Sequence, residues 1–331
     1  MKICIIKLGA DGDVLRTIPL AKAIKKKYKN SQITWITKGD IGELLKSVKE
    51  IDNVLSVPYY GPDKFDILYN FDIDKDALEL VKKIDADEKY GFYDDSGFPS
   101  VFNSGASYYL DTLFDDELKK INKKTYQEMM FMVAELKYEK EKYEIKLENE
   151  DKNYAEEFAR KNRLNRGKLI GIHMGASSRW PSKVWHKENV KELIRKANKK
   201  GYDILLFGGP NEVEEHELLV KELEKEKIKI HRNNPKNSKK GFASLVNLCK
   251  VMVCSDSFAL HVAIALNKKT VGLFFCTSPS EVEGYDLLIK IIADKLEEFF
   301  PEKMDKYDEE LVKSISVDKV LEAVEGAIGN K

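Results

Sequence analysis

Apolar and polar positions follow two rhythms along this chain. Short apolar, β-branched runs recur, and each is followed by a longer stretch whose apolar positions lie three and four apart. KICIIKL near the N-terminus predicts a buried strand, and VLRTIPLAKAIKKKY predicts a helix through Leu20, Ala23, Ile24 and Lys27, which Pro19 kinks or opens. QITWITK, VLSVPY and FDILYNF predict further strands, with helices at IGELLKSV and DKDALELVKKI. This is the β-α-β rhythm of a parallel sheet. The pattern then weakens over 90–125, where YGFYDDSGFPSVFNSGASYYLDTLFDD mixes Gly, Ser, Asp and aromatics; that composition predicts an elaborated loop region. TYQEMMFMVAEL predicts a helix whose Met/Phe face is core packing.

The charged, aliphatic-poor run KYEKEKYEIKLENEDKN reads as a crossing between domains and leads into the helix YAEEFARKN. The rhythm then restarts. KLIGIHMG, YDILLFGG, IKIHR, VMVCSD and KTVGLFF predict strands. HKENVKELIRKANKK (closed by Gly201), NEVEEHELLVKELEK, FASLVNLCK, FALHVAIAL and DKVLEAVEGAIG predict helices. The expected class is α/β, with two Rossmann-like doubly wound domains, 1–150 and 151–331, facing across a cleft. The last helix, about 315–329, is placed to pack back on the N-terminal domain. Ligand sites are expected beyond the carboxyl ends of the strands.

Composition narrows the function without changing this picture. A chain of 331 residues suits two domains. Lys+Arg and Asp+Glu both number 56, so no basic excess points to nucleic acid, and any anionic ligand must be held by local clusters. Cys4, Cys249, Cys254 and Cys276 form no CxxC pair and read as buried reduced thiols, the pattern of a cytoplasmic protein. No signal peptide is expected, because Lys7 and Asp11 closely follow ICII, and VMVCSDSFALHVAIAL is broken by Asp256 and too short for a bilayer.

Candidate chemistry collects at the strand ends of the second half. Gly175, Ala176, Ser177 and Ser178 follow one strand, and Lys183 precedes the next helix. Small residues admit a ligand to the backbone, hydroxyls donate to phosphate oxygens, and a lysine adds a point charge. Glu212 opens the helix after Gly208-Gly209-Pro210, as a cap or as an acceptor for ribose hydroxyls. Asp256 and Ser257 stand where a helix N-terminus suits a diphosphate, and Thr277 and Ser278 repeat the arrangement. Taken singly, Asp256, Ser257 and Ser278 are ordinary N-caps, His173 and His261 are packing residues, and Lys183 is a solvated lysine. Together they read as a pocket for a nucleotide diphosphate.

In order along the chain, GDVLRTIP, HMGASSRWPSKVW, GGPNE, SDSFALHVAIAL and TSPSE resemble the heptosyltransferase family of bacterial glycosyltransferases, glycosyltransferase family 9. The resemblance implies a GT-B fold and inverting transfer of a sugar, typically heptose from ADP-heptose, to a lipopolysaccharide-core or other glycan acceptor. It implies no metal or other cofactor. It implies Asp13 as general base, and Gly175, Ala176, Ser177, Lys183, Glu212, Asp256, Ser257 and His261 on the donor side. Gly12 and Arg16 are the acceptor-side candidates. The expected partners are a nucleotide-sugar donor and a glycan or glycolipid acceptor. Peripheral contact with the inner membrane surface stays open, and the lysine run Lys22–Lys29 reads first as a solvated helix face. The chain departs from the family at Phe258 and at Phe275, where glycine is usual, and both departures are expected close to the donor. Asp11 replaces a residue of the usual serine-rich turn.

Three other readings compete with this one. Asp11-Gly12-Asp13 reads as a D-x-D metal motif of another glycosyltransferase class, but alternate residues entering a helix need not converge. A nicotinamide enzyme is disfavoured because GADGDV lacks the third glycine of the dinucleotide fingerprint. A non-catalytic nucleotide-sugar or glycan-binding protein differs from an enzyme by the absence of a working base.

Overall fold

The computed structural model describes residues 1–62 and 64–329. Contacts divide the chain into two compact units. The first is Met1–Lys146 with Ser280–Glu283, and the second is the remainder from Leu147.

The first unit begins with β1 (Lys2–Ile6), α1 (Asp11–Thr17) and α2 (Pro19–Lys27), where Pro19 opens the second helix. It continues through β2 (Gln32–Thr37), α3 (Gly42–Leu45), β3 (Asn53–Ser56), β4 (Lys64–Asn70) and α4 (Lys75–Lys83). The sheet order is β3-β2-β1-β4, extended by β5 (Asp85–Asp95) and β6 (Phe98–Val101). All pairings are parallel except β5 with β6. Ile3 and Ile5 are as fully buried as Cys4 and Ile6, because helices cover both faces of the sheet.

Residues 90–125 overturn the loop expectation. Ser96 and Gly97 both have positive φ (53° and 96°) in a two-residue turn that pairs Asp95 with Phe98, a tight hairpin of the mirror-image turn class. After it come α5 (Ser107–Phe114), α6 (Asp116–Ile121) and α7 (Tyr126–Val133), the last started by a Thr125/Glu128 capping box. Periodicity is weak here because β5 is only partly buried and the short helices bury little. Gly91, at φ +93°, has no room for a Cβ, which would lie 1.9 Å from the Asn70 carbonyl oxygen.

Residues 136–148 cross without regular structure, burying Tyr143, Ile145 and Leu147 in alternation. The second unit then runs α8 (Asn149–Asn162), β7 (Leu169–His173), α9 (Lys187–Lys199), β8 (Asp203–Phe207), α10 (Val213–Lys225) and β9 (Ile230–Arg232). It continues with α11 (Lys239–Leu248), β10 (Val251–Ser255), α12 (Phe258–Ala265), β11 (Lys269–Phe274) and β12 (Leu288–Ile292). The chain closes with α13 (Leu296–Phe299), α14 (Glu309–Ser314) and α15 (Val317–Gly329). The sheet is all parallel, in the order β12-β11-β10-β7-β8-β9. Read from β7, it is the doubly wound dinucleotide-fold order. The last helix packs on this second sheet: Val320, Leu321, Val324 and Ala327 share a core with Ile170, Val251 and Val271. The apolar stripe of α15 is satisfied by the sheet that immediately precedes it in the chain. Among the described residues, no helix is long and apolar enough to cross a membrane.

Candidate active site

In each sheet the strand order reverses beside the first strand, between β1 and β4 and between β7 and β10, and the loops leaving those strands carry the candidate chemistry. In the first unit, β1 leads through Leu8–Ala10 into α1, whose first turn holds Asp11 and Asp13. The Asp13 N–H donates to the Ala10 carbonyl (2.8 Å). Arg16, one turn on, donates to Asp13 Oδ1 at 2.5 Å, and its guanidinium lies 4.0 Å from the centre of the Tyr126 ring. Thr17 Oγ1 donates to the Asp13 carbonyl (2.7 Å) and sits 3.4 Å from the Tyr126 hydroxyl. Arg16, expected on the acceptor side, therefore holds the carboxylate beside it, while Asp13 keeps about a third of its side chain exposed (31%). Asp11 and Gly12 are half-buried in the same turn.

Beneath this turn lies a buried ion pair that no sequence motif marks. Lys7 Nζ donates to Asp72 Oδ1 at 2.6 Å, and both residues are buried. Asp72 Oδ2 accepts the Leu8 N–H (2.5 Å) and the Gly9 N–H (3.3 Å). Burial opposes the lysine's charge, but Tyr126, Asp72, Asp13 and Tyr109 around it keep its proton well above the usual lysine range. Burial also pushes the Asp72 carboxyl up, while Lys7 and the Leu8 N–H pull it back. A polar residue inside an otherwise apolar strand run was the available signal for Lys7; Asp72 becomes its partner only when β1 and β4 pair.

In the second unit the structure brings Lys183, Asp256 and His261 together. Lys183 Nζ lies 3.3 Å from Asp256 Oδ2, and His261 Nε2 lies 3.5 Å from Asp256 Oδ1. Asp256 thus meets two cationic or donor groups. Ser257 stands at the N-cap position of α12, but its Oγ makes no cap bond; that atom is buried and has no hydrogen-bond partner among the described residues. Lys183 ends a short helical turn, Pro181–Lys183, which is laced to the C-terminal part of the chain. Ser182 Oγ donates to the Lys306 carbonyl (2.8 Å) and accepts the Asp308 N–H (2.9 Å). Trp185 Nε1 donates to the Ile315 carbonyl at 3.2 Å.

The remaining predicted residues divide. Glu212 Oε2 accepts the Gly209 N–H (2.7 Å), so it caps its own turn, and a Cβ on Gly175 would lie 3.1 Å from the Glu212 carboxyl carbon. Gly175 and Glu212 thus touch across the ends of β7 and β8. Ala176 is half-buried, and Ser177 is exposed on the outer part of the loop. Asn233, also unforeseen, exchanges two hydrogen bonds with the Gly208 backbone. Of the two aromatic departures, Phe258 stays at the site, half-buried against Phe242 (5.6 Å between ring centres). Phe275 does not: its side chain is in the second unit's core, so it is not a donor-lining group. His173 and His216 are both neutral near pH 7, each lowered to about 4, chiefly by burial. In the lysine run, Lys25 and Lys26 are tied to Asp52 and Glu139, each at 2.6 Å, on a solvent-facing helix.

These arrangements can be set beside known proteins. The model of glycosyltransferase family 9 (heptosyltransferase) matches residues 80–309. Lipopolysaccharide heptosyltransferase 1 of Campylobacter coli is 23% identical, with both chains fully covered. The fold is similar to that of the family 9 glycosyl transferase of Veillonella parvula (TM-score 0.79, 20% identity, covering 100% of this chain and 97% of that one). It is also similar to ADP-heptose lps heptosyltransferase II of E. coli (TM-score 0.72, 18% identity, 99% and 98% covered). A more distant likeness, at 10% identity and a TM-score of 0.60, is an iron-containing dodecameric glycosyltransferase of enterotoxigenic E. coli, with 98% of this chain and 75% of that one covered. The two Rossmann-like units expected for a GT-B enzyme are both present, and the match extends over most of the chain. The chain belongs to glycosyltransferase family 9, the heptosyltransferase family.

Proposed function

We propose that this glycosyltransferase moves a heptose from ADP-heptose to a lipopolysaccharide-core or other glycan acceptor, with inversion and without a metal ion. The acceptor hydroxyl attacks the anomeric carbon opposite the diphosphate. A new glycosidic bond forms, the bond to the diphosphate oxygen breaks, and the hydroxyl proton passes to Asp13. The second unit holds the donor. Lys183 and the N-terminus of α12 take up the negative charge of the leaving diphosphate, with Ser177 and Ser257 as hydroxyl donors and Gly175 and Ala176 admitting the ligand to the backbone. Glu212, touching Gly175, faces the ribose. Asp256 and His261 keep Lys183 in place. Arg16 orients Asp13, and Gly12 lets the acceptor approach the turn. We place the protein in the cytoplasm, in peripheral contact with the inner membrane face where a glycolipid acceptor is presented.

The observation that carries this reading is the meeting of Lys183, Asp256 and His261 at the switch point of the second sheet, in a chain of this family. For the metal-free mechanism, the support is that Asp13 already has a cationic partner in Arg16 at 2.5 Å. The test is calorimetric binding of ADP-, GDP-, UDP- and dTDP-sugars, followed by transfer assays with the best donor, with and without EDTA. ADP-heptose binding tightest and transfer unaffected by EDTA is the expected result. Loss of activity in EDTA, restored by a divalent ion, overturns the metal-free mechanism, and preference for another nucleotide overturns the donor.

A further inference from the structure

We infer that Lys7 and Asp72 are positioning residues for the transfer reaction: their buried pair clamps the turn that delivers Asp13. The inference rests on the reading of Asp13 as the base. Regular pairing of β1 with its neighbours ends close to Ile6, and Lys7 N–H makes the last bond to β2, at the Ile36 carbonyl (3.1 Å). The next two N–H groups, of Leu8 and Gly9, have no strand opposite them. The Asp72 carboxylate takes both on one oxygen and the Lys7 ammonium on the other. A side chain thus continues the sheet's hydrogen bonding up to the residue before Ala10, whose carbonyl receives the Asp13 N–H.

Asp72 is itself held. Its N–H donates to Asn70 Oδ1 (3.1 Å), and Asn70 Nδ2 donates to the Asp72 and Phe92 carbonyls, each at 2.8 Å. Asn70 is fully buried, so the clamp is fixed to β4 and β5. Two charges in a core are costly, and a well-packed apolar pair often serves stability as well or better. What an apolar pair cannot do is accept two backbone N–H groups at the base of a functional turn.

The lysine has a second effect. Asp13 is faced by Lys7 from the end of β1, by Arg16 from its own helix, and by the phenols of Tyr109 on α5 and Tyr126 on α7, with Glu281 beyond Tyr109. Among the described groups around it, Lys7 and Arg16 are cations, so deleting Lys7 leaves the carboxylate easier to protonate.

The experiment compares kcat, donor KM and the pH profile of kcat for wild type, Asp13→Asn, Asp72→Asn, Lys7→Met and the double variant Lys7→Met/Asp72→Leu. The double variant removes both charges at once and leaves no orphaned ion in the core. Asp72→Asn and the double variant are expected to lose about 10–100-fold in kcat, the effect of a misplaced reacting group, with donor KM within about twofold. In Lys7→Met, the acid-side fall of kcat is expected at higher pH than in wild type; a purely structural role would not move it. In the unmodified protein, the Leu8 and Gly9 amides are expected to be protected from hydrogen exchange. Wild-type kcat and pH profile in the folded variants, or rapid exchange at both amides, overturns the clamp. Loss of rate in Asp13→Asn alone, with the other variants normal, rejects the clamp and keeps the base. Wild-type activity in Asp13→Asn rejects the base itself.

Discussion

Each half of the molecule places a lysine–aspartate pair at the switch point of its sheet, and the two pairs differ in burial and in what surrounds them. In the first unit, Lys7 and Asp72 are 2.6 Å apart with side-chain exposures of 3% and 7%. In the second, Lys183 and Asp256 are 3.3 Å apart, at 15% and 17%. The inner pair spends its remaining hydrogen-bonding capacity on backbone N–H and carbonyl groups of its own unit. The outer pair lies beside the buried, unpartnered hydroxyl of Ser257 and the start of a helix, where an anion is welcome. On the proposed function, one fold feature would serve as a clamp under the base where it is closed and as a receptor for phosphate where it is more open.

The largest effect is expected at Asp13, the proposed base above the closed pair. Asp13→Asn should lower kcat by about 10²–10⁴-fold, with ADP affinity unchanged by calorimetry, because only proton removal is lost. Weakened ADP binding in that variant would break the division of tasks between the units. Next, Lys183→Ala should raise the ADP dissociation constant by roughly 10–100-fold, the loss of a charge-assisted bond to phosphate, with the fold intact by circular dichroism. Unchanged affinity would remove Lys183 from the donor site and leave the second pair as structural as the first.

Two histidines, buried His216 and half-buried His173, sharpen the comparison through pH. His173 and His216 are held neutral in the folded second unit, each lowered to about 4, so between about 6.5 and 4 the unfolded chain binds more protons than the native one. Their contribution is complete above the unfolded value and is lost as pH falls through that window, on the order of 1–3 kcal/mol each. The midpoint of thermal unfolding should therefore drop on acidification, and His216→Gln should flatten the drop. A midpoint indifferent to pH from 7 to 4.5 would contradict the lowered pKa of both rings. The smallest effect is expected at Ser182→Ala, which unlaces the Lys183 turn from Lys306 and Asp308. About 1 kcal/mol of stability and a few-fold rise in donor KM are expected, measured by denaturant titration and steady-state kinetics. Loss of stability without a change in KM would separate the lacing from the donor site.

Much of this architecture is legible in single residues. Pro19 opens α2, the glycines after β8 mark a strand end, and the strand runs of both halves stand close to where their apolar alternation places them. The hairpin at Ser96-Gly97 was legible as a turn dipeptide but hidden by the partly exposed strand beside it. Helix α15 has a clear apolar stripe, but the stripe does not say which sheet it will cover. In the same way, Phe258 and Phe275 looked equivalent as departures from a motif; only burial shows that one is half-buried against Phe242 and the other fills a core.

By itself, the sequence determined the βα rhythm, the two-unit division and the residues offered at strand ends, since strand and helix periods are local properties of a few neighbouring side chains. Tertiary structure alone decided the partners. Lys7 meets Asp72 across 65 residues because β1 and β4 lie side by side, and Lys183 meets Asp256 because β7 and β10 do. Strand order is set by packing over the whole sheet, and no local pattern records which strand end will face which.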